Sequence, residues 1–210
     1  ESLYDLAEKA GYKVTFTQAD AEAVTPEDEK VVLIDEHLAD SDAMDYDMDR
    51  AEGEWALKDY VAKGIEQLDN ETGFFMMCEG GKIDWACHAN DAGATVTDTL
   101  ALADAVQVAI DFAKEQPAET LIVVTGDHET GGLTIGYAGT DYDTYLDTLS
   151  NQKISYAQFD EQYVAGYKEN QTPFEDAMKD VDALFGLKLS GDEGDRLVLT
   201  EYEAQRLKDA

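Results

Sequence analysis

Two short segments carry residue types that could hold divalent cations. In the first, Glu79, Asp84 and His88 follow the apolar run Phe74-Phe75-Met76-Met77 by way of Gly80-Gly81. In the second, Asp127 and His128 follow Leu121-Ile122-Val123-Val124 by way of Gly126. Carboxylate oxygens with imidazole nitrogens are donors that zinc takes, and an all-oxygen donor such as Glu79 suits magnesium. Asp84 and His88 are four apart. On a helix starting near Asp84 they share a face, with Cβ atoms roughly 6 Å apart. A carboxylate oxygen and a ring nitrogen then reach one zinc ion at about 2 Å each. Asp127 and His128 are adjacent, which inside a strand points them to opposite faces. At a strand end, where Gly126 lets the backbone turn, both can converge on another ion. The chain has three histidines, and two of them lie in these segments.

Each motif alone also has an ordinary explanation. Asp84 reads as a helix N-cap with His88 on the surface, Asp127 as a cap for the next stretch of chain, and Glu79 as a solvated loop residue. Taken together, two glycine-flanked strand ends bearing carboxylate and imidazole favour metal-assisted chemistry. His37, in Leu33-Ile34-Asp35-Glu36-His37, reads as a surface histidine in an acidic loop. Asp40-Ser41-Asp42-Ala43 reads as an acidic turn, since nothing marks its serine as activated.

The elements that must position these residues follow from periodicity. Residues 2–11 have helical spacing, a serine start and a glycine stop; 12–17 and 30–35 read as strands; 54–68 reads as an amphipathic helix. The apolar runs 73–78 and 120–125 read as strands, with a helix from about Asp84 and a long helix over 95–114 between them. Strands alternating with helices predict an α/β fold, a three-layer α/β/α core with a mostly parallel sheet. From residue 137 onward the chain turns rich in Asp, Tyr and Gln, with helical patterns at 155–166, 173–185 and 201–208. The expected organisation is a partial core over 1–136 and a helical insertion over 137–210 that returns to the core at its end.

Composition limits the partners. The 210 residues carry 47 Asp plus Glu against 15 Lys plus Arg, a formal net charge of -32. That surface repels nucleic-acid phosphates and anionic lipid, so neither is an expected partner. It also repels an anionic substrate unless a bound cation inverts the local field. Such acidity suits high salt, where screening relieves self-repulsion. Cys78 and Cys87 are the two cysteines; the plain reading is two small, partly buried residues without a role. No apolar run reaches the length of a membrane span, and Glu1-Ser2-Leu3 does not open a signal peptide.

The two motifs, Glu79-Gly80-Gly81-Lys82-Ile83-Asp84-Trp85 through His88-Ala89-Asn90 and Thr125-Gly126-Asp127-His128-Glu129-Thr130-Gly131-Gly132, resemble bacterial alkaline phosphatases in order and spacing. The similarity runs from Leu3-Tyr4-Asp5 to about Leu133, and the variable region beyond it resembles that family's crown-type insertion. The resemblance implies two zinc ions and one magnesium ion. Glu79 matches a magnesium ligand, Asp84 and His88 two ligands of the first zinc, and Asp127 and His128 ligands of the second. Trp85 falls where the family varies a residue near the phosphate; a packed aromatic is its ordinary reading. The implied activity is hydrolysis of phosphate monoesters through a phosphoseryl intermediate. The implied location is the periplasm or outside the cell, and a homodimer is among the implied assemblies. The family's Asp-Ser-Ala nucleophile motif and a last zinc-binding histidine have no counterpart here. The chain is therefore expected to be a central and C-proximal fragment, inactive alone, with its nucleophilic serine upstream. Two alternatives stand: a related phosphodiesterase, sulfatase or phosphomutase, or an acidic, non-catalytic metal-binding module.

Overall fold

The computed structural model describes residues 1–134 and 143–210, and these divide into two compact units. One comprises residues 1–85 and 96–129, the other 86–95 and 130–210.

In the first unit, Ser2 and Asp5 close a reciprocal capping box at the start of α1 (Leu3–Lys9): the Asp5 amide donates to Ser2 Oγ and the Ser2 amide to Asp5 Oδ2. The chain then enters β1 (Lys13–Thr15), crosses over through α2 (Gln18–Glu22) and a 3-10 turn at Pro26–Asp28, and returns as β2 (Val31–Leu33). The strands pair in parallel, Val14 opposite Val32. A parallel pair needs such a crossover because its strands cannot be joined by a hairpin. Asp59 accepts from the Ala56 amide at the head of α3 (Leu57–Leu68). On α3, the ammonium of buried Lys63 donates to the carbonyls of Glu22, the last residue of α2, and Val24 just after it, and pairs with Glu66 at 3.1 Å. Carbonyls at a helix end are thus satisfied by a lysine. Ala21, Val24, Tyr46, Ala56, Val61 and Ala105 form the buried apolar interior of this unit.

The chain then leads into α4 (Gly81–His88) and α5 (Ala92–Glu115), helices with residues in both units. The fold is a partial α/β core rich in helix, with a small parallel sheet. Two expected strands differ from the prediction. Residues 73–80 and 120–126 carry no strand ladder; among the described residues the pairings are β1 with β2 and isolated bridges at Leu38–Met44 and Lys188–Val198. Pairing is non-local, so an apolar run cannot form a ladder unless another strand lies beside it. Their side chains reflect this: Phe75 is 86% and Leu121 87% exposed. Segment 73–80 still packs on helices. A Cβ on Gly64 of α3 would lie 2.5 Å from Met76 Cε, and the Phe74 ring sits 5.9 Å from that of Phe112 on α5.

In the second unit, a 3-10 turn (Leu146–Asn151) precedes α6 (Tyr156–Phe159), a π-helical turn (Asp160–Val164), α7 (Ala165–Asn170), α8 (Phe174–Phe185) and α9 (Glu201–Asp209). Phe159 stacks on Tyr163 and meets Phe185 edge-on at 5.0 Å. Asp91 caps α5, accepting from the Ala94 amide at 3.0 Å, and also accepts from Gln152 Nε2 at 2.7 Å and the Tyr156 amide at 2.8 Å. The expected boundary at 136/137 lies among residues 135–142, outside the described residues. Both cysteines are free thiols. Among the described residues no helix is long and apolar enough to cross a membrane.

Candidate metal centre

The helix that carries the first motif begins at Gly81 rather than Asp84. Asp84 therefore lies in its first turn and is not an N-cap, because Gly80-Gly81 already releases the chain from segment 73–80. The helix dipole favours carboxylates in a first helical turn and cations in the last. Asp84 and His88 occupy those two places on α4, four residues apart. Glu79 is exposed just before the helix, its Oε1 lying 3.4 Å from where a Cβ on Gly81 would stand.

The second motif brings its pair together. The His128 amide donates to Asp127 Oδ1 at 3.0 Å, and His128 Nε2 stands 3.6 Å from Asp127 Oδ2. The chain turns here, so the alternation of a strand does not separate the two side chains. Backbone amides, its own and that of His128, hold the Asp127 carboxyl below the usual carboxylate range, and the His128 charge adds to this. The His128 imidazole is pushed up, first by the Glu129 carbonyl beside Nδ1 at 3.2 Å and then by Asp127; the Asp84 charge raises it further. Asp84 of the first motif is thus within electrostatic reach of His128 of the second.

The donor types fit zinc and magnesium, two at a time. Among the described residues no group of three or more His, Cys, Asp or Glu side chains gathers tightly enough to hold a metal ion. A four-coordinate zinc site would need donors beyond each pair. Ser41 lies in a 3-10 turn (Asp40–Asp42) with left-handed φ of 56°. His37 is a surface residue 3.6 Å from Glu54.

Gly131 closes the second motif for a steric reason. Its φ is +77°, and a Cβ there would lie 2.1 Å from the Cys87 carbonyl oxygen near the end of α4. Both the backbone region and the close approach require glycine. Gly131→Ala is expected to lower Tm by roughly 2–8 °C, from about 1–2 kcal/mol of left-handed strain and a displaced turn. A melt indistinguishable from wild type would refute the contact.

Two residues that sequence reasoning passed over stand out in this region. Lys82 on α4 is enclosed by Tyr46, Trp85 and Asp40. Asp98 on α5 is buried beside Asp47. Nothing local signals either one, because their partners lie up to 51 positions away.

A family model for alkaline phosphatase matches residues 1–186. Alkaline phosphatase 4 of Bacillus subtilis is 42% identical over 93 residues, covering 44% of this chain and 20% of that protein. The repressible alkaline phosphatase of Saccharomyces cerevisiae is 42% identical over 104 residues, covering 46% of this chain and 18% of the yeast protein. The crystal structure of a cold-active alkaline phosphatase from Shewanella sp. superposes with a TM-score of 0.77 at 25% identity, covering all of this chain and 46% of that one. The matches thus span about a fifth of the length of those two curated relatives and under half of the solved one.

Proposed function

The chain belongs to the alkaline phosphatase family, and on that premise we propose that its parent protein hydrolyses phosphate monoesters. Glu79 would hold magnesium, Asp84 and His88 one zinc ion, and Asp127 and His128 a second. The observation that carries this reading is the Asp127–His128 pair, side by side at a chain turn with the Asp84 charge reaching it. Bound at those donors, the ions would supply Lewis acidity and neutralise a phosphate dianion for in-line displacement. The residues of this chain do the positioning. The register of α4 keeps Asp84 and His88 one helical turn apart, and backbone amides keep Asp127 ionised. Trp85, next to Asp84, would form a wall near the phosphate. The net charge of -32 on these residues repels an anionic ester, and bound cations would invert that field locally.

The reading also puts the serine nucleophile and the remaining ligands outside these 210 residues. No histidine follows His128 in the sequence. Ser2 and Ser155 act as helix caps, Ser41 lies in the turn beside Lys82-bound Asp40, Ser150 Oγ donates to the Asp147 carbonyl, and Ser190 lies at a bend. Export to the periplasm or beyond the cell, and a homodimeric assembly, belong to the same proposal.

The test is chelation. In the parent protein, 1,10-phenanthroline is expected to abolish p-nitrophenyl phosphate hydrolysis, and zinc with magnesium to restore it. Phosphodiesters and sulfate esters should be much poorer substrates. Turnover indifferent to the chelator would overturn the metal assignment, and a preference for sulfate esters or diesters would move the chain to another branch of the superfamily. The 210 residues alone are expected to be inactive; zinc-dependent turnover by them would refute that part.

A further inference from the structure

Most lysines of this chain sit at the surface. Lys114 and Lys179 each pair with an aspartate one helical turn earlier, Asp111 and Asp176, and remain largely exposed. Lys82 is different. Its side chain is 10% exposed, and its ammonium lies 4.2 Å from the centroid of the Tyr46 ring and 4.3 Å from that of Trp85. Asp40 Oδ1 accepts from it at 2.9 Å. Tyr46 is itself fully buried, so one wall of this enclosure belongs to the interior of the first unit. A cation between two ring faces is held by their quadrupoles, and the attraction grows as water is excluded. Asp40 supplies the ion pair, and the two rings supply the rest of the enclosure.

The consequence falls on Trp85. Tyr46 cannot move without opening the interior, and Asp40 anchors the ammonium from the other loop end. The Trp85 indole, three residues along the same helix, lies with its face against that held ammonium. Asp84, a proposed metal donor, is its immediate neighbour.

We propose that Lys82 is a positioning residue: through its cation–π contact it locks the Trp85 indole as a rigid wall beside the phosphate ester. The substrate half of this statement rests on the phosphatase reading above; the lock itself does not. Without Lys82 the indole gains rotamer freedom that substrate binding must remove. That ordering weakens binding by about three- to tenfold for one side chain of this size.

The experiment uses the parent protein with Lys82→Met, Lys82→Arg and Trp85→Phe, and with each Lys82 variant also in the Trp85→Phe background. The emission of Trp85 is read as the difference between each variant and its Trp85→Phe counterpart. Lys82→Met is expected to shift that emission and to raise KM for p-nitrophenyl phosphate about three- to tenfold, with a smaller effect on kcat. Lys82→Arg, whose guanidinium also stacks on aromatic faces, should restore both. In the Trp85→Phe background, Lys82→Met should add little to KM. An unchanged Trp85 emission overturns the lock. A changed emission with an unchanged KM, or a KM effect that persists in full without Trp85, overturns positioning through the indole. A parent protein with no phosphomonoester turnover removes the substrate role together with the phosphatase reading, and the emission comparison still decides the lock.

Discussion

Asp84→Ala in the parent protein is expected to lower kcat/KM for p-nitrophenyl phosphate by at least about a hundredfold, since loss of residues that merely orient metal ligands already costs 10–100-fold. Zinc content, measured by elemental analysis after gel filtration, should fall with it. Asp84 is the proposed donor with the largest expected effect because two features depend on it. It is the carboxylate half of the α4 pair with His88, and its charge also acts on His128 of the second motif. Asp127→Ala, by contrast, removes a carboxylate from the second pair alone.

The effect is separable from damage to the fold. Asp84 lies in the first turn of α4, where a carboxylate contributes about 0.3–1 kcal/mol through the helix dipole. Such a loss leaves a stable domain folded. Asp176→Ala on α8 serves as the control, since that residue pairs with Lys179 at the surface and takes no part in the proposed site. Activity within twofold of wild type in Asp84→Ala would refute its role. So would a full loss of activity with zinc content unchanged, because the defect would then lie elsewhere than in metal binding.

Much of the helical framework was legible because helix signals are local. The serine at position 2, the 3.6-residue spacing up to Lys9 and the apolar face of 57–68 predict α1 and α3 to within a few residues. The first two strands were legible for a similar reason, as short apolar runs bounded by turn residues. The run Leu121-Ile122-Val123-Val124 looks the same in sequence, yet it has no ladder among the described residues and leaves Val123 73% exposed. Its pattern says what it would do beside another strand, and only another strand can supply that. In the site, the spacing of Asp84 and His88 was readable because four residues along a helix is a fixed displacement. The joining of Asp127 to His128 was readable only as far as Gly126 permits a turn. The enclosure of Lys82 was not readable, since Tyr46 lies 36 positions earlier and no periodicity links them.

Asp98→Asn stabilises the protein above neutral pH and leaves it unchanged near pH 4. Asp98 is 8% exposed on α5, and burial pushes its carboxyl up to about 7. The Asp47 amide, 3.4 Å away, lowers it somewhat, as does Lys82, while the Asp47 and Asp49 charges raise it. In the unfolded chain the same group titrates near 3.9. Between those values the native state binds the proton and the unfolded state does not, so stability from this group is full below about pH 4 and falls as pH rises toward 7. Above 7 both states are ionised and the loss is constant. An asparagine presents the N–H donor that the protonated acid would have offered its acidic neighbours, and it has no proton to lose. The gain at pH 8 is on the order of 2 kcal/mol, less than the full shift would give because water still reaches part of the carboxylate. Thermal melts of wild type and Asp98→Asn at pH 4, 6 and 8 check this: the difference in Tm should be near zero at the first and largest at the last. A constant difference across the series would mean that Asp98 is ionised throughout, held by Lys82 rather than expelled from its charged form by burial.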